Sequence, residues 1–380
     1  MYDAIIIGLG GMGSAAAAHL AAKGKRVLGL EQFTPVHDRG SSHGQTRIIR
    51  KAYWEDPSYV PLLERAYELW ADLERRSGKR LYLRTGGLMV GDPKSALITG
   101  SRRSAAEHGL AHEMLDAGGI RSRFPAMRPL PDEIALFEEP AGILFPEPCV
   151  QAHLDWAASA GAELRFQAKV ESWEPTSSGV KVTAATGQTF DADHLVICAG
   201  AWLSQAAREL DLPLRIERNI AHWFEPAANR ELFAPERLPI YILERDPASP
   251  LYGFPDLGGG MKAAFHHSHD YVSPDGIDRT VSAADVQAVR DALAEWMPDG
   301  NGRHVASSVC MYTLTPDEHF LIGFHPRFAN VIVAGGFSGH GFKFCSVVGE
   351  ALAELVSDGD TKQPLGLFDL KRVAQKTGRT

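Results

Sequence analysis

Three glycines and one carboxylate near the N-terminus are spaced to hold a dinucleotide. Gly8, Gly10 and Gly13 form a GxGxxG set, and Glu31 follows eighteen positions (31 − 13) after the last of them. Gly8 permits a tight turn, Gly10 admits a pyrophosphate close to the backbone, and Gly13 lets a helix pack against a strand. The helix that starts here presents unpaired N–H groups and a positive dipole end to the phosphates. Glu31 stands where a carboxylate accepts from both ribose hydroxyls. It disfavours a 2′-phosphate, so NADP is set aside and NAD and FAD remain.

Other residues add to this. Arg47 and Arg50 are three apart, one turn if their segment is helical, and both could then face one anion. The run Gly335-Gly336-Phe337-Ser338-Gly339-His340-Gly341 is a second glycine turn ahead of a helix, hence a second helix N-terminus aimed at something anionic. Cysteines at 149, 198, 310 and 345 share no CxxC spacing. They fit reduced thiols of a cytoplasmic protein better than a disulfide framework, and no metal centre is expected.

The fingerprint requires flanking strands, and the chain supplies them. An apolar run at 3–7 precedes the glycines, an Ala-rich helix spans 14–22, and a second apolar run at 27–30 stops on Glu31. A loop rich in Gly, Ser, His and Arg covers 37–50, a place and composition that suit wrapping around a ligand. A helix over 59–76 carries Leu63, Ala66, Tyr67 and Trp70 as one stripe, with Pro61 in its first turn. Further elements are a strand from Thr85 through Val90, a polar helix to Gly109, a helix over 147–160, a strand at 163–166 and a hairpin turning at Thr186-Gly187. The buried strand 194–198 then runs into a small-residue turn, Ala199-Gly200-Ala201-Trp202, and a helix over 203–210.

From 214 to 305 the pattern changes to longer alternating strands with aromatics, at 215–224, 240–243, 252–254 and 262–266. One helix interrupts them at 283–297, with Ser282 as N-cap and Asp285 three residues on. The end returns to the opening pattern, with a strand at 331–334, the second glycine turn, and a helix over 344–357. The expected fold class is therefore α/β plus α+β. A discontinuous Rossmann-like unit (1–85, 146–213 and 306–380) joins a second, largely antiparallel-sheet substrate unit (86–145 and 214–305). That much wrapping suits FAD better than NAD.

At 380 residues, with 44% hydrophobic and 23% charged residues, the composition is that of a soluble globular protein of one to three domains. A net charge of −8 and the lack of a long basic run argue against nucleic acid. No stretch approaches a bilayer span, and the chain opens directly on its first strand, so neither a membrane partner nor a signal peptide is expected.

Four segments together, in order and over nearly the whole chain, carry a resemblance. They are the fingerprint, residues 40–50 (GSSHGQTRIIR), Cys310-Met311-Tyr312-Thr313 with Pro316 to Phe320, and 336–344 (GFSGHGFKF). This set resembles the monomeric sarcosine oxidase family and its sister, N-methyl-tryptophan oxidase. The resemblance implies oxidation of the N-methyl group of a secondary amino acid, with FAD held covalently through the cysteine of the CMYT motif, here Cys310. It implies an amine substrate, oxygen as acceptor and a monomer. Arg50 and Lys343 match the pair that holds the substrate carboxylate, and Arg47 matches an arginine near the flavin ring. Lys262 matches the lysine needed for oxygen reduction, where a cation stabilises developing superoxide. His266 matches a substrate-contacting histidine and lies on the same face as Lys262 if this is strand. Tyr252 and Tyr312 match aromatic walls of the amine pocket, while His43 and Gly44 belong to a loop along the cofactor. Gly200, Trp202, Gly339, Gly341 and Lys343 are placed beside the cofactor as well.

Several positions depart from the family. Ser42-His43 stands for a histidine pair, Gln45 for an aspartate and Lys51 for a histidine, and 240–243 lacks a pocket methionine. Sarcosine, another N-methyl amino acid, or a cyclic imino acid therefore stay open as substrates. Cys345 reads as packing. A flavin dehydrogenase using another electron acceptor, a non-catalytic FAD-binding factor and a nicotinamide dehydrogenase are the rival readings.

Overall fold

The computed structural model describes residues 1–374. The continuous apolar runs form strands buried on both faces, as a parallel sheet demands. Strand Tyr2–Ile7 pairs in parallel with Val27–Leu30 on one side and Thr189–Ile197 on the other. Glu163–Arg165 extends the sheet beyond Val27–Leu30, and Phe328–Gly335 extends it beyond Thr189–Ile197. Leu321–His325 closes the latter edge antiparallel, and the hairpin Val170–Pro175 with Val180–Ala184 adds to the start of Thr189–Ile197.

Helix Gly11–Ala22 follows the first strand and is buried on nearly every face. Its alanines allow a close approach: a Cβ on Gly349, in helix Cys345–Asp358, would lie 2.4 Å from the Ala15 Cβ. Helix Pro146–Ser159 shares the same core. The helix expected over 203–210 breaks at Ala207 (φ −128°, ψ 47°), leaving one short turn at Leu203–Ala206 and a 3₁₀ turn at Arg208–Leu210.

The second sheet is mainly antiparallel. Among the described residues it runs Glu113–Asp116, Ile134–Glu138, Gly87–Gly91, Ile240–Glu244, Leu251–Phe254, Met261–Phe265, Arg215–Phe224 and Tyr271–Val272. Only the Gly87–Gly91/Ile240–Glu244 pair in that run is parallel. His304–Leu314 pairs along the whole of Arg215–Phe224, so the expected 305/306 division falls inside a strand of this sheet. Helix Ala283–Trp296 covers the sheet, and its start carries the reciprocal Ser282/Asp285 capping box.

A third, three-stranded sheet is built from Arg47–Ile49, Gly142–Leu144 and Tyr82–Arg84. The helical turn that would have set Arg47 and Arg50 on one face therefore does not form. Strand pairing with Gly142–Leu144 extends the segment instead. No described helix is long and apolar enough to cross a membrane.

Candidate active site

A cavity of about 660 Å³ runs over the ends of the parallel strands, and the N-terminal fingerprint forms one wall. Gly8 has φ +88° and donates its N–H to the Leu30 carbonyl at 2.8 Å. A Cβ there would lie 2.5 Å from the Cys198 carbonyl oxygen, and one on Gly13 would lie 1.8 Å from the Gly8 oxygen. No side chain fits at either place. Gly10 caps the helix without a side chain of its own; Gly10, Gly11 and Met12 line the cavity, and the Gly11 N–H donates to Ser42 Oγ at 3.0 Å.

Glu31 sits at the end of its strand and accepts from the Leu9 N–H at 2.8 Å and the Phe33 N–H at 3.0 Å, with His37 Nε2 3.4 Å away. Burial alone would raise its pKa, but His37 and these amides outweigh burial and lower it. The carboxylate is thus ionised and keeps lone pairs free for hydroxyl donors. Gly200 (φ +54°) and Trp202 stand at the same wall, with the Trp202 indole donating to Asp275 at 2.7 Å.

The second glycine turn forms the opposite wall, where Gly339 and Gly341 line the cavity. Gly339 has φ +79°, and a Cβ on it would strike the Tyr312 ring at 2.3 Å. Cys345 also lines this wall, its thiol pushed upward by burial, so it is an inert packing group there.

A smaller cavity of about 70 Å³ adjoins the first, and Arg47, Tyr312, Gly339 and Phe342 line both. Into it face Arg50, Lys343, His266 and Tyr252. Residues from 47 to 343 in the sequence thus meet at one point. Arg47 is fixed by the Thr46 and Ser41 carbonyls at 2.8 and 2.9 Å. Arg50 is 2% exposed, donates to Ala52 O at 2.8 Å and grips Glu55. Lys343 donates to His340 O at 2.7 Å and Tyr53 Oη at 3.3 Å. Burial, then the Arg50 charge, pushes the Lys343 pKa down to about 7. Burial, then neighbouring cations, pushes His266 down to about 3, so its ring is neutral. The Tyr252 and Tyr312 hydroxyls meet at 3.4 Å.

Five sequence-derived residues line neither cavity. Gly13 lies beneath the fingerprint turn, as its packing role requires. His43 is buried on Gly40 O (3.1 Å) and Ser308 Oγ (3.4 Å), and Gly44, at φ +92°, donates to Glu147 Oε1 at 2.7 Å. Lys262 is 2% exposed; its Nζ donates to Gly44 O at 2.8 Å and to Thr46 O and Oγ1 at 3.2 and 3.1 Å. Trp223 and Phe254 cover it with ring faces at 5.1 and 4.9 Å. Cys310 is partly buried, with Sγ 3.8 Å from Arg47 Nη2.

Sequence reasoning missed Trp54, Glu55 and His340 as lining residues of the small cavity, while Ile242 belongs to the 240–243 strand expected at the pocket. His340 lies within the second glycine turn, and its position between Gly339 and Gly341 was the available signal. Glu55, five residues past Arg50, gave none.

The chain has relatives among known proteins. A model of the family described as FAD dependent oxidoreductase matches residues 3–355. Monomeric sarcosine oxidase of Streptomyces avermitilis is 51% identical over 377 residues, covering 98% of each chain. N-methyl-L-tryptophan oxidase of Escherichia coli O157:H7 is 32% identical, covering 98% of this chain and 99% of its own. The crystal structure of L-proline dehydrogenase from P. horikoshii superposes with a TM-score of 0.86 at 21% identity, covering 98% of both chains, a likeness of fold.

Proposed function

Because this chain belongs to the FAD dependent oxidoreductase family, we propose that it is an oxidase of small N-methyl amino acids such as sarcosine. The products are an imine, which hydrolyses to formaldehyde and the primary amino acid, and hydrogen peroxide. One observation carries the reading: a small cavity holding Arg50 and Lys343 shares a wall with the long dinucleotide cavity. Two cations beside a cofactor site recognise an acid that is to be oxidised.

The residues present fit FAD. Gly10, where a Cβ would meet only Ser42 Oγ at 3.5 Å, and the helix N-terminus beside it leave room for a pyrophosphate, and the ionised Glu31 suits a ribose. FAD bound there supplies a two-electron acceptor that oxygen can reoxidise. Cys310 is the residue we assign to its covalent attachment, because its sulfur adjoins Arg47, which lines the cavity.

The chain's own groups orient the substrate. Arg50 and Lys343 take the carboxylate, while the tyrosine pair and His266 face the amine end. A buried amine beside Arg47 and the neutral His266 ring loses its proton more readily than in water, which frees the lone pair needed for C–H cleavage. The size of the small cavity, bounded by Trp54, Ile242 and Pro250, favours sarcosine over an indole-bearing amino acid. We read the protein as a cytoplasmic monomer, in keeping with its unpaired cysteines and with the monomeric enzyme it is similar to.

A panel of secondary amines tests this. N-methylglycine is expected to bleach the flavin anaerobically and to give one peroxide per turnover in air. If no N-methyl amino acid bleaches it, the reading falls.

A further inference from the structure

The segment His266-His267-Ser268-His269 holds more histidines than the proposed reaction uses. His266 reaches the small cavity just past strand Met261–Phe265, its ring centroid 6.3 Å from Tyr252 and 5.7 Å from Tyr312. His267 lies behind it, with ring centroids 4.4 Å apart. Carboxylates hold His267 from two sides. Nδ1 is 3.4 Å from Glu217 Oε1 and Nε2 is 3.6 Å from Glu318 Oε1. Glu318 is half-exposed, whereas Glu217 has no exposure at all. Asn219 Nδ2 at 2.9 Å and the Ser268 N–H at 3.0 Å fix one Glu217 oxygen, and the other has no hydrogen-bond partner among the described residues. His269 stacks on His267 at 5.9 Å.

We propose that His267, clamped between Glu217 and Glu318, is a positioning residue for the amine site. It packs against the His266 ring at the small cavity and sets a cation behind it, which adds to the burial that holds His266 neutral and disfavours an ammonium on the bound substrate. A fully buried carboxylate needs a counter-ion, and His267 is the group that supplies it. Burial would lower the His267 pKa, but the Glu217 contact and the charges of Glu217 and Glu318 outweigh it and hold His267 above its ordinary value. After burial, the His267 charge is the next cause that lowers His266. The proposal rests on reading the small cavity as an amine site.

The test is the pH dependence of kcat for N-methylglycine with the wild-type holoenzyme, H267N, and H267N/E217Q. The double variant leaves no unpaired carboxylate buried. The free amine is the reactive form, so kcat climbs with pH along a limb set by the bound amine. In H267N that limb is expected to move up by about half a pH unit or more, costing about 3-fold in kcat below it, with flavin content unchanged. The double variant moves it the same way by less. Superimposable wild-type and H267N limbs overturn the proposal. If the wild type oxidises no secondary amine, the amine-site reading fails by itself, and histidine-selective ¹⁵N NMR of the holoenzyme decides on His267. A His267 cationic at pH 7, whose loss raises the His266 pKa, sustains the assignment. A neutral His267, or one whose titration E217Q leaves unmoved, overturns it.

Discussion

Arg50 and Glu55 form a two-pronged ion pair at the small cavity, with one guanidinium nitrogen 2.7 and 3.0 Å from the two carboxylate oxygens. The cation assigned to the substrate carboxylate is therefore already engaged by an acid of the chain itself. On the proposed binding mode, a substrate carboxylate competes with Glu55 for this guanidinium, and the competition weakens the apparent affinity.

Glu55→Gln removes the competing charge and keeps the shape. KM for N-methylglycine is expected to fall about 3- to 10-fold, because each 1.4 kcal/mol of relieved competition is tenfold. The folded state loses about 3 kcal/mol, since Arg50 keeps a buried charge without its partner. Steady-state kinetics and thermal unfolding read the two effects. An unchanged KM contradicts the competition.

Lys343 carries a pKa near 7, so its charge is present below that pH and fades above it. Binding of a simple carboxylate such as acetate, followed by flavin absorbance, is expected to weaken as pH rises from 6 to 8. The bound acid will itself draw the lysine pKa upward. Lys343→Met should bind more weakly at every pH and lose the slope; a slope that persists in the variant assigns it to another group.

Cys310→Ala tests the attachment. Intact mass of the denatured wild type should include one FAD, and that of the variant none. Equal masses, after allowing for the substitution, would falsify the thioether.

Lys262 is held on the carbonyls of Gly44 and Thr46, which favour its charged form against a burial that pushes its pKa well below the lysine value. Lys262→Met should leave anaerobic flavin reduction within a few-fold of wild type. It should slow reoxidation by oxygen about 100-fold or more, the scale of a lost electrostatic stabiliser. Stopped-flow measurement of both half-reactions separates them, and equal oxygen rates would remove Lys262 from that role.

Gly13→Ala places a methyl group 1.8 Å from the Gly8 oxygen. Strand and helix must part, at about 3 kcal/mol or more, with loss of flavin binding. A variant that keeps both its melting temperature and its yellow colour would show that the turn yields.

Much of this molecule was legible as sequence wherever local rules decide. The strand–turn–helix around Gly8, Gly10 and Gly13, the Ser282/Asp285 cap and the second glycine turn all depend on neighbours a few residues away. What long-range pairing decides was not legible. The segment at Arg47 was extended by Gly142–Leu144, almost a hundred residues on, and no period in it announced that partner. The Glu55 grip and the Glu217–His267 contact likewise depend on burial, which single residue types do not report. Lys262 would pass in sequence for a surface lysine, yet it is enclosed by aromatic rings.

The central sheet seats Tyr2–Ile7 next to Thr189–Ile197, which in turn is flanked by Phe328–Gly335. During translation Phe328–Gly335 is made after both Tyr2–Ile7 and Thr189–Ile197. Capture of the prosthetic group thus has to wait for that later strand. Nascent chains arrested before residue 328 are expected to stay colourless in the presence of FAD, and a yellow arrested chain would refute that order of assembly.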